Sequence, residues 1–240
     1  MSLAAFLYRG TGSAAEAMRT PVILVNFKAY PEALGPRGLA LAKACAEVAD
    51  RAGASVVIAP AATDLARIGH EVRIPVFAQH LDAIEAGAHT GWLPPEAALE
   101  AGAAGAILNH SERKIPVKDL KAVIPRCDTL GLEVVCCADT VREAEAIASL
   151  SPPYVAIEPP ELIGGNISVT KAQPSVVSGA VERIRRANPK VEVLCGAGVR
   201  TGRDVSRAIE LGAVGVLLSS AVVKAHDPRK ALADLAKGLR

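Results

Sequence analysis

From Pro21 onward the chain alternates between short apolar runs and longer amphipathic stretches. The runs are VILVNF (22–27), SVVIAP (55–60), IPVFAQ (74–79), AGAILN (104–109), LEVVCC (132–137), YVAIE (154–158), VEVLCG (191–196) and VGVLLS (214–219). Runs of this length, rich in Val, Ile and Leu, predict strands buried on both faces. Between them, stretches 38–53, 93–102, 140–150, 174–187, 201–212 and 227–239 carry the spacing of amphipathic helices. Gly53, Gly131 and Gly212 stand where helices would stop, and Pro94 and Pro95 where one would start.

Strands that alternate with helices imply parallel βαβ units, and eight of them in about 220 residues imply a closed (β/α)8 barrel of the α/β class. An open doubly wound sheet is the alternative, but no GxGxxG follows the first strand, which ends in Asn26-Phe27-Lys28. No linker or change of composition divides the chain. Residues 19–240 are therefore expected to form one barrel domain. Residues 1–18 read as a disordered or non-native extension.

Composition narrows the function. Of 240 residues, 27 are basic and 25 acidic, and aromatics make up 3%. Neither a nucleic-acid surface nor a membrane surface is indicated, and no apolar run is long enough to span a bilayer. Five cysteines without a CxxC pair suggest a reduced, cytoplasmic protein with no structural zinc. Cys136 and Cys137 would point to opposite faces of their strand.

The polar residues gather where strands end, which is the face on which (β/α)8 barrels place their chemistry. Strand 1 ends at Asn26 and Lys28, strand 4 at Asn109, His110 and Glu112, and strand 6 at Glu158. Each has a plain alternative. Lys28 also reads as a solvated loop lysine, His110 as a helix cap and Glu158 as a surface carboxylate. Glu158, however, follows YVAI and precedes two prolines, which favours a desolvated acid with a raised pKa. The small-residue loops Ile163-Gly164-Gly165-Asn166, Gly196-Ala197-Gly198 and Ser219-Ser220 are each weak signals. Together they offer backbone amides suited to a phosphate.

VNFKAY, NHSERK and IEPPELIGG, in this order and at these strand ends, resemble the signature segments of the triosephosphate isomerase family in its compact archaeal-type form. The resemblance spans residues 19–240. It implies interconversion of dihydroxyacetone phosphate and D-glyceraldehyde 3-phosphate by proton transfer, without metal or organic cofactor. It also implies Glu158 as base, His110 as neutral electrophile with its pKa lowered by a following helix start, and Lys28 as cation. Asn26 would orient the site, and Glu112 would contact the lysine and substrate. The phosphate would be held by Ile163, Gly164 and Gly165 in a lid of about 159–171, and by Gly198, Ser219 and Ser220.

HTGW (89–92) resembles the family's intersubunit loop, with Thr90 reaching a partner's Asn26 and Lys28. That implies a homodimer at least and a tetramer in the archaeal form. Asn166 departs from the family's usual glycine, Ser219 and Ser220 replace the glycine pair of the longer form where small residues are also usual in the short form, and the segment before Met18 has no family counterpart. The rival readings are another phosphate-binding barrel enzyme and a non-catalytic barrel that binds a sugar phosphate. Neither calls for the Asn-x-Lys, His-Ser-Glu and Glu-Pro-Pro segments together.

Overall fold

The computed structural model describes residues 17–159 and 174–240. Eight parallel strands form one sheet that curls into a nearly closed barrel, with helices between the strands. The strands are β1 (Val22–Asn26), β2 (Ser55–Ala59), β3 (Phe77–Ala78), β4 (Gly105–Leu108), β5 (Glu133–Ala138), β6 (Tyr154–Ile157), β7 (Glu192–Cys195) and β8 (Gly215–Leu218). Among the described residues the α-helices are α1 (Gly35–Ala52), α2 (Leu65–Gly69), α3 (Pro95–Glu100), α4 (Val117–Leu130), α5 (Val141–Ala148), α6 (Pro174–Ala187), α7 (Gly202–Glu210), α8 (Ser220–Val223) and α9 (Pro228–Lys237).

The helix boundaries follow local chemistry. Thr201 caps α7 in a reciprocal box with Asp204, and Thr140 caps α5 by accepting from the Glu143 N–H. Gly53 and Gly131 end α1 and α4 in the left-handed region. Helix α4 ends at Gly131, as expected, and carries Pro125 within it. Pro125 sits on the exposed face, so the carbonyl it leaves unpaired meets water.

The sheet runs β2-β1-β8-β7-β6-β5-β4-β3. Its two ends meet through one bridge, Ile58↔Val76, with the Ile58 N–H donating to the Pro75 carbonyl at 3.1 Å. The six-residue third strand expected at 74–79 is only two residues long. Pro75 has no N–H to give the ladder, which confines regular pairing to Phe77 and Ala78. A side chain compensates at the mouth. The Gln79 amide donates to the Ala59 carbonyl at 2.9 Å and to the Lys28 carbonyl at 3.0 Å.

Two apolar layers follow from the period-2 pleat. Ile23, Val25, Cys136, Val155 and Ile157 pack outward against the helices. Val22, Leu24, Ile107, Cys137, Tyr154, Ala156, Leu194 and Leu217 fill the barrel. Cys136 and Cys137 thus do face opposite sides. Met18, the last residue of the expected extension, is buried with the inner layer, and its N–H donates to Glu133 Oε2 at 2.7 Å. Residues 1–16 lie outside the described residues. Among the described residues, no helix is long and apolar enough to cross a membrane.

Candidate active site

The inward phase of the pleat carries polar residues to the mouth. In β1 it runs Val22, Leu24, Asn26, and along β6 it runs Tyr154, Ala156, Glu158. Leu217 is followed on the same face by Ser219, and Leu194 by Gly196. Lys28, His110, Glu112, Glu158, Gly198, Ser219 and Ser220 line one pocket of ≈ 200 Å³, together with Tyr30 and Arg200. Asn26 lies beneath it, 4% exposed, and its Oδ1 accepts the Lys28 N–H at 2.9 Å. Thr90 stands apart on an exposed loop. Ile163, Gly164, Gly165 and Asn166 lie outside the described residues.

Two corners that present site residues are strained. Lys28 has φ +50° and Asn109 φ +58°. Such a conformation costs an L-residue about 1–2 kcal/mol, less for Asn. Side-chain bonds hold both corners. Asn26 Oδ1 grips the Lys28 N–H and Gln79 its carbonyl, while Asn109 accepts from the Ile115 N–H at 3.0 Å and donates to the Cys137 carbonyl at 2.9 Å.

Glu158 is 1% exposed. Burial lifts its carboxyl to about 7, opposed by the Cys137 thiol that hydrogen-bonds to it and by the positive charge of Lys28. Its Oε2 finds no hydrogen-bond partner among the described residues and lies 3.7 Å from His110 Nε2. Room for this side chain comes from Gly196. A Cβ there would overlap Glu158 Cγ and stand 3.0 Å from both Cδ and Oε1.

His110 Nδ1 accepts the Glu112 N–H at 3.1 Å, so in the neutral ring the proton is on Nε2, the edge facing Glu158. Burial lowers its pKa, and Lys28 lowers it further. The helix start expected just behind His110 is a single turn, closed by the Arg113 N–H on the His110 carbonyl, and α4 begins only at Val117. Burial and Lys28 both act against a charge on this imidazole, and the Glu112 N–H of that turn points at its Nδ1. Lys28 Nζ reaches Glu112 Oε1 at 2.8 Å across the mouth. On the opposite rim, the Ser219 Oγ is buried without a hydrogen-bond partner among the described residues, where α8 begins.

A carboxylate poised near neutrality, a neutral N–H donor facing it and a cation lining the same pocket suit proton transfer next to a carbonyl. The sequence profile of the family described as "Triosephosphate isomerase" matches residues 21–238. The chain belongs to the triosephosphate isomerase family. It is 49% identical to the triosephosphate isomerase of Methanobacterium bryantii over 92% of this chain and 97% of that protein. With that of Methanocaldococcus jannaschii it shares 46% over 90% of this chain and 99% of the relative. The crystal structure of the Bartonella henselae enzyme superposes with a TM-score of 0.69 at 20% identity, covering 88% of this chain and 97% of that one, and shares the fold. The chain is thus an isomerase enzyme of the triosephosphate isomerase family.

Two contributors to the site escape sequence reasoning. Gly196 reads in the sequence as part of a loop suited to a phosphate, and only its inward parity after Leu194 hints that it faces Glu158. Cys137 has no partner in sequence to mark it as a hydrogen-bond donor.

Proposed function

We propose that this isomerase interconverts dihydroxyacetone phosphate and D-glyceraldehyde 3-phosphate, with Glu158 moving the proton between adjacent carbons. A carboxylate can take the proton from one carbon and return it to the next. His110 donates a hydrogen bond from Nε2–H to the carbonyl oxygen as negative charge develops there, and gives that oxygen a proton while taking one back from the neighbouring substrate hydroxyl, so that Nε2–H is restored. Lys28 adds positive charge toward the same oxygen and the phosphate. Glu112 holds Lys28, and Asn26 fixes the turn that presents it. This division of labour between carboxylate and neutral imidazole is the known pattern of the family. The observation that carries it is the His110–Glu158 pair, 3.7 Å apart, with Nδ1 occupied by the Glu112 N–H.

The phosphate takes the rim formed by Gly198, Ser219 and Ser220, whose loops line the same pocket as the reacting pair. Ile163, Gly164 and Gly165 complete the grip from the segment after β6. No metal or organic cofactor takes part, because proton transfer needs none. The enzyme works in the cytoplasm, in keeping with five free, buried cysteines. It assembles as a homodimer at least, and as a tetramer in the archaeal manner, with Thr90 at the subunit contact. The exposed loop around Thr90 and the 56% exposed Trp92 support that reading.

The test is turnover of glyceraldehyde 3-phosphate, coupled to glycerol-3-phosphate dehydrogenase, with Glu158→Asp run beside the wild type. The expected result is a fall of orders of magnitude in the variant. A folded wild type without turnover would overturn the reading.

A further inference from the structure

Behind the reacting pair lies a second group of charges that the proposed chemistry does not use. Lys114, from the loop after β4, contacts Asp139 Oδ1 at 2.8 Å and Glu143 Oε1 and Oε2 at 3.1 and 3.3 Å. Asp139 follows β5, and Glu143 stands in the first turn of α5. Glu143 joins three segments. Its Oε1 also accepts from Asn109 Nδ2 at 2.9 Å, and its Oε2 accepts the Asp139 N–H at 2.8 Å. Asn109 is the left-handed residue directly before His110.

We propose that Lys114, Asp139 and Glu143 form a charged clamp that holds the Asn109–His110 corner and balances the field felt by the His110–Glu158 pair, with Lys114 as its central positioning residue. The inference rests on the assignment of that pair as the reacting groups.

The clamp acts on both members in the same sense. Negative charge on Asp139 favours the protonated forms of Glu158 and His110, and positive charge on Lys114 opposes it. The other groups facing Glu158 are Lys28 after β1, His110 and Glu112 after β4, Cys137 in β5 and Cys195 in β7, with Arg200 on the pocket wall. Lys28 faces the pair from one side, and Lys114 is the cation on the β5 side that offsets Asp139. Glu143 cannot be replaced by Gln without loss. Both of its oxygens accept, so an amide would turn an NH2 group toward a donor.

The experiment compares Lys114→Met, Lys114→Arg and Asp139→Asn with the wild type. The ionisation of Glu158 is followed by carboxyl 13C NMR in the free protein, identified by its absence in Glu158→Gln, and by the acid limb of kcat/KM. Lys114→Met should move the Glu158 midpoint upward by about half a pH unit or more. Asp139→Asn should move it downward, and Lys114→Arg should leave it in place. If Lys114→Met fails to fold, the downward shift in Asp139→Asn decides. Midpoints that do not move, or that move in the same direction in both variants, overturn the proposal and leave the cluster a structural ion pair. Because the NMR titration needs no turnover, an inactive wild type would overturn the isomerase assignment separately from the clamp.

Discussion

Replacing Glu158 by Gln should make the folded protein more stable at neutral pH, by an amount that depends on pH. In the native state the carboxyl titrates at about 7, against an ordinary value of 4.5. Below pH ~4.5 both folded and unfolded chains hold the proton, and Glu158 costs nothing. Between 4.5 and 7 the unfolded chain ionises first, so the wild type loses stability as pH rises. Above 7 the full cost is present. A gap of about 2.5 units at ~1.4 kcal/mol each amounts to about 3 kcal/mol. Gln keeps the shape and can still accept from the Cys137 thiol, but it carries no charge to desolvate. Urea unfolding of both proteins at pH 5, 6, 7 and 8, at one protein concentration so that any assembly contributes equally, measures the difference. The advantage of Glu158→Gln should grow from about 1 kcal/mol at pH 5 to about 3 kcal/mol at pH 8. A pH-independent advantage, or a variant less stable than wild type at pH 8, would refute the idea that burial of the charge lifts this carboxyl.

The same ionisation should govern activity. The kcat/KM of the free enzyme should fall about tenfold per unit below pH ~7 as Glu158 gains its proton, and a flat profile down to pH 5 would remove it as the base. Gly196→Ala should cut kcat by about 10²-fold, because the new Cβ occupies the space of the Glu158 side chain. Undiminished turnover there would show that Glu158 works from another position. Lys28→Met should lower kcat by about 10²–10³-fold and raise KM, read from initial rates over a substrate series. Thr90→Arg should lower the assembly state in sedimentation velocity, and an unchanged sedimentation coefficient would place the subunit contact elsewhere.

Most of this architecture was legible because two signals agreed. Apolar runs such as VILVN and YVAI mark strands by composition, and their parity carries Asn26 and Glu158 inward. NHSERK and IEPP then mark the ends of β4 and β6 by chemistry. What stayed hidden depended on contacts distant in sequence. The short β3 reflects how Pro75 meets Ile58. Gly196 gains its meaning from a side chain 38 residues away. The pKa of His110 is lowered by burial and by Lys28, which comes from the other end of the sheet. The Lys114–Asp139–Glu143 group spans two loops and a helix, and no local spacing announces it.

The thin junction between β2 and β3 has a consequence for the chemistry. Unrolled, the wall is a ribbon with β2 at one end and β3 at the other. Glu158 sits near its middle, whereas Lys28 and His110 each stand one strand in from opposite ends. They become neighbours only when the ribbon is rolled shut. The Lys28–Glu112 bond and the Gln79 amide then act as the clasp of a bracelet, fastened at the place where the site is assembled. Loosening β3 would part the cation from the imidazole before it disturbed Glu158. The loop bearing Thr90 rises from that same short strand, at the clasp.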